Sequence, residues 1–373
     1  MTSQDDGARH AEHGGAFFEA IGVDFSTLER RKDIVNADVL DAWYDPAPGV
    51  ISTIQAHLPW LIRTSPPTHG EGLRAAIAKA RGVQENQLVI GSGSSSLMFL
   101  AFPRLIGRAS RAVVLDPSYG EYAHLAEKVV GARTRRFKLD PLADFRIDID
   151  ALANECKDAN LVILVNPNSP NGAYVGRDAI VELLGKLNPS TKLWVDETYI
   201  DYAPDGSSAE PLVAEHDNLI VCKSMSKYYG LSGLRIGYLV CKPTLAAQWE
   251  SLSPPWSVSL IGQVAAVAAL DDNAYYKQMT AKTAELRVGL EAELKKLPGV
   301  KVFPSITNFL LMRLDKPVAA SVCQHAEKQG VFLRNCDSLS DRFQGHYIRT
   351  AVKDVEDNQK IIAALRSALE HTS

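Results

Sequence analysis

Residues 223–238 read KSMSKYYGLSGLRIGY and follow an apolar stretch that is typical of a strand. Lys227 lies between a serine pair and a glycine-bearing turn, and Arg235 follows eight positions later. A lysine becomes a nucleophile when burial or neighbouring cations lower the pKa of its ammonium. Serine hydroxyls and a guanidinium fork suit a phosphate group. The segment predicts a reactive Lys227 beside a phosphate site formed by Ser224, Ser226 and Arg235, although a surface lysine in a polar loop also fits these residues alone.

Outward from this segment, short apolar runs alternate with helical patterns from Glu71 onward. The strand candidates are continuous apolar runs, which are typical of a parallel sheet covered on both faces. They are QLVIG, AVVLD, LVILVN, LWVDE, LIVCKS and YLVCK. Strands separated by helices predict right-handed crossovers and therefore a doubly wound, mostly parallel α/β fold. Ligands of such sheets lie at the carboxyl ends of the strands.

The length of 373 residues predicts a large domain and a smaller one, because single cores stop growing below this size. After Pro254 and Pro255 the pattern changes to long helices followed by short strands, which is typical of an α+β unit. We expect an N-terminal arm with part of the small domain over residues 1–50. The large domain that carries the lysine is predicted over 51–270, and the small C-terminal domain over 271–373.

The composition argues against several classes of function. A formal net charge of -4, with acids and bases spread along the chain, predicts no nucleic-acid partner. The polar, acidic start is unlike a signal peptide, and the apolar runs are too short to span a membrane. The five scattered cysteines indicate reduced thiols, and the nine dispersed histidines predict no metal site. We therefore expect a cytoplasmic protein.

A second segment, residues 194–202, reads WVDETYIDY and places Asp196 at the end of an apolar strand. A buried carboxylate needs a cationic partner, and the protonated ring nitrogen of a heteroaromatic cofactor would supply one. Tyr199 is placed to donate a hydrogen bond to a phenolic oxygen on the same ring. Considered alone, the segment is equally well explained by a helix-capping aspartate followed by core aromatic residues.

A third segment, residues 90–97, reads IGSGSSSL. Glycines followed by serines at the start of a helix present backbone N–H groups and the positive end of the helix dipole to an anion. The motif lacks the third glycine of a dinucleotide fingerprint and the Gly-Lys of a Walker loop. Ser94 and Ser95 are therefore candidate phosphate ligands, while an ordinary strand-to-helix turn explains the motif when it stands alone.

Two turn-forming runs follow other predicted strands. They are DPSYGEY, residues 116–122, and VNPNSPNG, residues 165–172. These turns can bring the aromatic face of Tyr119 and the amide of Asn168 or Asn166 to a planar ring. Stacking together with an amide hydrogen bond is a common way to hold such a ring.

These four segments, in this order, resemble the fold-type-I aminotransferases and, within them, the histidinol-phosphate aminotransferase branch. The resemblance runs from about residue 35 to the C-terminus, and the lysine motif and the Asp-Glu-x-Tyr segment are its most specific parts. It implies pyridoxal 5′-phosphate (PLP) as the cofactor and transamination of an L-amino acid or amino phosphate. It also implies a small-molecule substrate and a homodimer with its sites at the subunit boundary.

The resemblance implies a role for each candidate residue. Lys227 would form the Schiff base with the cofactor and then transfer a proton, and Asp196 would pair with the pyridine nitrogen. Tyr199 would contact the phenolic oxygen, and Tyr119 would stack on the ring. The cofactor phosphate would be held by Ser94, Ser95, Ser224, Ser226 and Arg235. The substrate would be bound by Arg349 at its α-carboxylate, by Arg334 near a phosphate and by Asn308 near the domain interface.

The chain departs from the family pattern beside the ring oxygen and near the subunit boundary. The family's Asn-Pro-Thr-Gly turn has an asparagine that contacts the phenolic oxygen, but this chain has Ser169 there. Asn168 is the candidate replacement, and a contact from Ser169 itself stays open. A family tyrosine that reaches the phosphate of the neighbouring subunit is replaced by Ser65, and His69 is a candidate to take over its contact.

A second chemistry stays open on the same cofactor. The entrance motif DAWYDPAPGV has Trp43 and Tyr44 in place of polar groups, and Ser169 alters the ring-oxygen contact. Both changes favour an alternative in which the enzyme decarboxylates a phosphoamino acid or carries out γ-elimination and replacement on a substrate such as S-adenosylmethionine. A PLP-binding transcription regulator is disfavoured, because the chain has no residues left for a DNA-binding domain.

Overall fold

The computed structural model describes residues 14–372. Sequence patterns account for its helices, as in residues 71–81, where Leu73 and Ile77 are one turn apart and buried and Gly82 ends the helix with a φ of 67°. The helices are α1 (Phe17–Ile21), α2 (Pro48–Arg63), α3 (Glu71–Arg81), α4 (Gly93–Leu105), α5 (Gly120–His124), α6 (Ile149–Glu155), α7 (Arg177–Lys186), α8 (Pro243–Glu250), α9 (Leu260–Asp271), α10 (Asn273–Leu294), α11 (Ala319–Glu327) and α12 (Val355–Thr372).

The strands form one large sheet and two small ones. They are β1 (Val35–Asn36), β2 (Leu88–Gly91), β3 (Arg111–Asp116), β4 (Arg133–Lys138), β5 (Leu161–Val165), β6 (Lys192–Asp196), β7 (Leu219–Ser224), β8 (Gly237–Val240), β9 (Val300–Val302), β10 (Phe309–Leu314), β11 (Val331–Phe332), β12 (Arg334–Asn335) and β13 (Tyr347–Ala351). The large sheet has seven strands in the order β2-β8-β7-β6-β5-β3-β4. Within it β8 runs antiparallel to both neighbours, and the other pairs are parallel.

The predicted doubly wound, mostly parallel sheet is confirmed, and it contains all six strands that the apolar runs predicted. The sequence pattern missed β4, whose residues RTRRFK are mostly charged and not buried. This strand lies at the edge of the sheet, where a charged sequence is tolerated and discourages further pairing. Hydrophobicity therefore predicts strands in the buried centre of a sheet but does not predict a charged strand at its edge.

Apolar side chains cover both faces of the large sheet, as its continuous apolar strands require. Along β3, Val113 and Leu115 pack into one core cluster, whereas Ala112 and Val114 pack into another. With both faces covered, polar side chains collect where the parallel strands end. Asp196 ends β6, and Ser224 ends the neighbouring β7.

The C-terminal part of the chain contains the four-stranded sheet β12-β13-β10-β9, which is antiparallel. A separate two-stranded sheet pairs β1 with β11, so that Val35 lies opposite Val331. The N-terminal segment is thereby tied to residues near the end of the chain. The change from the large to the small domain near residue 270 stays a prediction, with α9 ending at Asp271. Within residues 14–372 no helix is long and apolar enough to cross a membrane.

Candidate active site

A cleft of about 220 Å³ lies at the carboxyl ends of β5, β6 and β7, between these strand ends and Arg349 of β13. The predicted site residues that line it are Lys227, Asp196, Tyr199, Tyr119, Ser94, Ser95, Ser224, Ser226, Arg235 and Arg349. A larger cavity of about 320 Å³ lies beside Tyr228 and Tyr276, and its lining contains none of the predicted site residues. The predicted site residues therefore lie together in the cleft, which is the smaller of these two cavities.

One end of the cleft presents hydrogen-bond donors to an anion. Nη1 of Arg235 lies 3.1 Å from Oγ of Ser226, and the backbone N–H of Ser226 donates to Oγ of Ser224. Ser94 and Ser95 are in the first turn of α4, where backbone N–H groups have no partner within the helix. Gly93 has a φ of 82°, and a Cβ there would lie 2.7 Å from Nη2 of Arg235, so glycine lets the guanidinium approach the helix.

Asp196 is buried at the end of β6 and is held by three hydrogen bonds. The hydroxyl of Tyr122 donates to its Oδ2 at 2.7 Å, while the backbone and hydroxyl of Thr198 donate to its Oδ1 at 2.9 and 2.6 Å. Trp194 in turn donates to the Tyr122 hydroxyl. Burial raises the pKa of Asp196, so a cation placed against this carboxylate would stabilise its charged form. Sequence analysis did not single out Tyr122 or Thr198 for this site.

Two tyrosines form aromatic walls of the cleft. The ring of Tyr119 meets Tyr122 edge-on, with 5.9 Å between centroids, and Tyr199 meets Phe309 edge-on at 5.1 Å. Burial raises the pKa of Tyr119 to about 12 and raises the pKa of Tyr199 as well. Both hydroxyls therefore stay protonated at neutral pH and are able to donate hydrogen bonds.

Lys227 points into the cleft and forms an ion pair with a residue that sequence analysis missed. Its Nζ lies 3.0 Å from Oδ1 of Asp41, and the Ser232 hydroxyl donates to the same oxygen at 2.6 Å. Burial lowers the pKa of Lys227, Asp41 opposes this shift, and Arg349 and Arg235 add to it. A lowered pKa increases the fraction of free amine, which is the nucleophilic form.

The other end of the cleft is lined by Arg349, one of the two predicted substrate arginines. Nη1 of Arg349 donates to Oγ of Ser169 at 3.0 Å, and its Nη2 donates to the carbonyl of Asp38 at 2.8 Å. Arg334 does not line the cleft, but its Nη1 lies 4.0 Å from Oδ1 of Asp38 and its Nη2 donates to Ser338. Asp38 therefore stands between the two arginines, which no sequence motif indicated.

Asn168 does not line the cleft. Its amide nitrogen donates to the carbonyl of Pro117 and to the side chain of Asn171, and its amide oxygen accepts from Ser118. Both amide hydrogens are thus used within the protein, one of them across to the turn that contains Pro117, and none is left for the oxygen of a ring. The prediction that Asn168 replaces the family's asparagine is corrected, because Ser169 is the residue of this turn that lines the cleft.

Asn308 also lies outside the cleft and acts on it indirectly. Its side chain is buried, and its Nδ2 donates to the carbonyl of Leu40 at 3.0 Å. Leu40 itself lines the cleft. Asn308 therefore positions the segment that runs from Asp38 to Asp41, and the structure does not bring its side chain to the predicted substrate site.

Trp43 and Tyr44, predicted to alter the entrance, do not line the cleft. The indole of Trp43 donates to the hydroxyl of Thr283 at 2.8 Å, and the hydroxyl of Tyr44 donates to the carbonyl of Tyr228 at 2.6 Å. They are packing residues that fix the segment before α2, because their polar atoms are bonded within the protein. The expectation that these two residues favour the alternative chemistry stays a prediction.

A family model for class I and II aminotransferases matches residues 45–365. The chain belongs to this family. A histidinol-phosphate aminotransferase 2 of Carboxydothermus hydrogenoformans is 32% identical over 305 residues, which are 80% of this chain and 81% of the relative. The predicted family, fold class, enzyme class and cofactor of this aminotransferase are confirmed.

Two solved structures share the fold of this aminotransferase. The histidinol-phosphate aminotransferase of Sinorhizobium meliloti in complex with pyridoxal 5′-phosphate has a TM-score of 0.84 and 24% identity, over 100% of this chain and 99% of that one. The L-threonine-O-3-phosphate decarboxylase of Porphyromonas gingivalis has a TM-score of 0.77 and 26% identity, over 90% and 100%. The fold is therefore compatible with both chemistries that the sequence left open.

Proposed function

We propose that this aminotransferase moves the amino group of an L-amino acid or amino phosphate by means of PLP, with Lys227 as the reactive amine. The observation that carries the proposal is that Lys227, Asp196 and Arg349 line one cleft, where the lysine has a lowered pKa and the arginine faces the substrate side. PLP, when bound, acts as an electron sink that stabilises a carbanion.

The residues of the cleft fit this cofactor part by part. Asp196 offers a buried, hydrogen-bonded carboxylate to the ring nitrogen, and Tyr199 offers a hydroxyl to the ring oxygen. The face of Tyr119 is available for stacking. The phosphate would be held by the hydroxyls of Ser94, Ser95, Ser224 and Ser226, by backbone N–H groups at the start of α4 and by the Arg235 guanidinium.

The substrate would bind through its carboxylate or phosphate to Arg349. This arginine is half-buried and donates hydrogen bonds to Ser169 and to the carbonyl of Asp38, so it presents its charge in one orientation. A second anionic group on the substrate would have to compete with Asp38 for Arg334, since their charged atoms are 4.0 Å apart. The structure of the substrate end favours a substrate with one anionic group.

The decisive test follows the absorbance of the holoenzyme during single additions of L-amino acids, histidinol phosphate and S-adenosylmethionine. Conversion of the visible band to the amino form of the cofactor, reversed by a keto acid, is the expected result. Lys227→Ala should lack the lysine-dependent band and lose more than about 10⁴-fold in turnover, because the nucleophile and the base are lost together. The matched control is Lys242→Ala, which removes a lysine that is paired with Asp217 at the surface.

The same additions separate amino transfer from the alternative chemistry. A substrate that is consumed while the visible band persists, with release of carbon dioxide or methylthioadenosine, would replace amino transfer by decarboxylation or γ-replacement. A band that is unaffected by Lys227→Ala would remove Lys227 from the proposal altogether.

We also infer that the active form is a homodimer. The helix α2 exposes Ile51, Leu58 and Ile62, which the spacing of seven and four residues places on one face. Ser65 and His69, the predicted residues at the subunit boundary, are exposed just beyond this helix. Sedimentation analysis should give twice the chain mass of 40.7 kDa, and Ile62→Glu should shift the protein toward a monomer.

A further inference from the structure

The carboxylate of Asp41 is fixed against the reactive lysine by a residue of the lysine motif itself. Oδ1 of Asp41 lies 3.0 Å from Nζ of Lys227 and accepts a second hydrogen bond, at 2.6 Å, from Ser232. The two side chains are only 36% and 18% exposed. Water and salt therefore screen this pair less than an ion pair on the open surface.

Three cations act on this pair. Arg235 and Arg349 both act on Lys227, and Lys353 acts on Asp41 and on Lys227. Asp41 is the carboxylate that offsets these charges at the lysine nitrogen. A neutral side chain at position 41 would leave the ammonium of Lys227 among positive charges, from which it would be repelled.

On the basis of the proposed function, we propose that Asp41 is a positioning residue that holds the Lys227 ammonium at the cleft whenever the lysine is not bonded to the cofactor. A lysine side chain loses rotamer entropy when it is fixed, so a free lysine needs a partner to stay in place. Asp41 provides this partner. Its own position is fixed through the preceding residue, because Asn308 donates a hydrogen bond to the carbonyl of Leu40.

The test uses the full-length apoenzyme and PLP. Capture of the cofactor requires the unprotonated Lys227 amine, which forms a C–N bond to the aldehyde carbon while the carbonyl oxygen leaves as water. The rate of appearance of the visible band is measured against pH for the wild type, Asp41→Asn, Asp41→Glu and Asp45→Asn. Asp45→Asn is the matched control, because it also removes one negative charge, but from an exposed position in the same segment.

The Asp41 carboxylate raises the pKa of Lys227. Asp41→Asn should therefore lower the pH midpoint of cofactor capture by about one unit, which is a tenfold change in the equilibrium between ammonium and free amine. In the holoenzyme it should lower kcat about tenfold without a matching change in KM. Asp41→Glu should recover most of both effects, and Asp45→Asn should behave as the wild type does.

A midpoint for Asp41→Asn that equals those of the wild type and Asp45→Asn would overturn the proposal. If Asp41→Asn does not give soluble protein, Asp41→Ser removes the same charge and carries the same expectation. Failure of every variant, including the wild type, to form the visible band would count against the proposed function instead. The two failures are therefore distinguishable.

Discussion

The two ends of the cleft differ in how the chain builds them. At the phosphate end, the side chains come from two short stretches, residues 93–96 and 224–235, which adjoin the paired strands β2 and β8. At the substrate end, Asp38, Ser169 and Arg349 come from three distant parts of the chain and meet through two hydrogen bonds. The phosphate end is formed by residues that are close in sequence, and the substrate end is formed by residues that only the tertiary structure brings together.

This difference has a functional consequence. At the phosphate end, serine hydroxyls, backbone N–H groups and one guanidinium would all bind the same anion, so each would be replaced in part by its neighbours. At the substrate end, one half-buried guanidinium, that of Arg349, would bind the anion of the substrate. A mutation at the substrate end should therefore reduce kcat/KM by a larger factor than a mutation at the phosphate end reduces the affinity for PLP.

Between the two ends of the cleft, the larger effect is expected from Arg349→Gln. Loss of two charge-assisted hydrogen bonds to the substrate anion costs about 3–4 kcal/mol, or 10²–10³-fold in kcat/KM. The affinity for PLP should not change, because Arg349 lies at the opposite end of the cleft from the phosphate residues. Steady-state kinetics and PLP titration of the same preparation measure both quantities.

Arg349→Lys is the control for charge at this position. Lysine keeps the positive charge but cannot form the planar fork, so its kcat/KM should fall between those of the wild type and Arg349→Gln. If Arg349→Gln instead weakened PLP binding and left kcat/KM intact, the assignment of the two ends would be reversed.

A smaller effect is expected from Arg235→Gln at the phosphate end. The affinity for PLP should fall about 10–10²-fold, because one charge-assisted contact is lost while the serines and the N-terminus of α4 remain. At saturating PLP the KM for the amino substrate should equal that of the wild type. Equilibrium dialysis of the cofactor and kinetics at high PLP test the two halves of this prediction.

The contrast between the ends also explains what could be predicted from the sequence. The phosphate residues, Asp196 and Tyr199 lie in short motifs directly after apolar strands, so strand prediction alone placed them at one edge of the sheet. The structure brings all of them to the same cleft. Tyr122 and Thr198 escaped notice because an aromatic residue or a threonine near a strand end has many ordinary packing roles.

Asp38 and Asp41 could not be predicted, because they lie in a segment without helical or strand periodicity. The position of that segment depends on the pairing of Val35 with Val331 and on the bond from Asn308 to Leu40. Each of these contacts joins residues more than 200 positions apart, so no local pattern contains them. Asn168 was misassigned for a related reason, since only the folded turn shows that its amide is already used.

The smallest effect in this series is expected from Asp38→Asn, which tests the charge between the two arginines. Removal of one negative charge 4.0 Å from Arg334 should improve kcat/KM for substrates with a second anionic group by about 3–10-fold. Substrates with a neutral side chain should change little, because Arg349 binds the backbone carbonyl of Asp38, which the substitution keeps. The ratio of the two kcat/KM values is the measured quantity, since it cancels general effects on folding. An equal change for both substrate classes would mean that Asp38 shapes the cleft without selecting its substrate by charge.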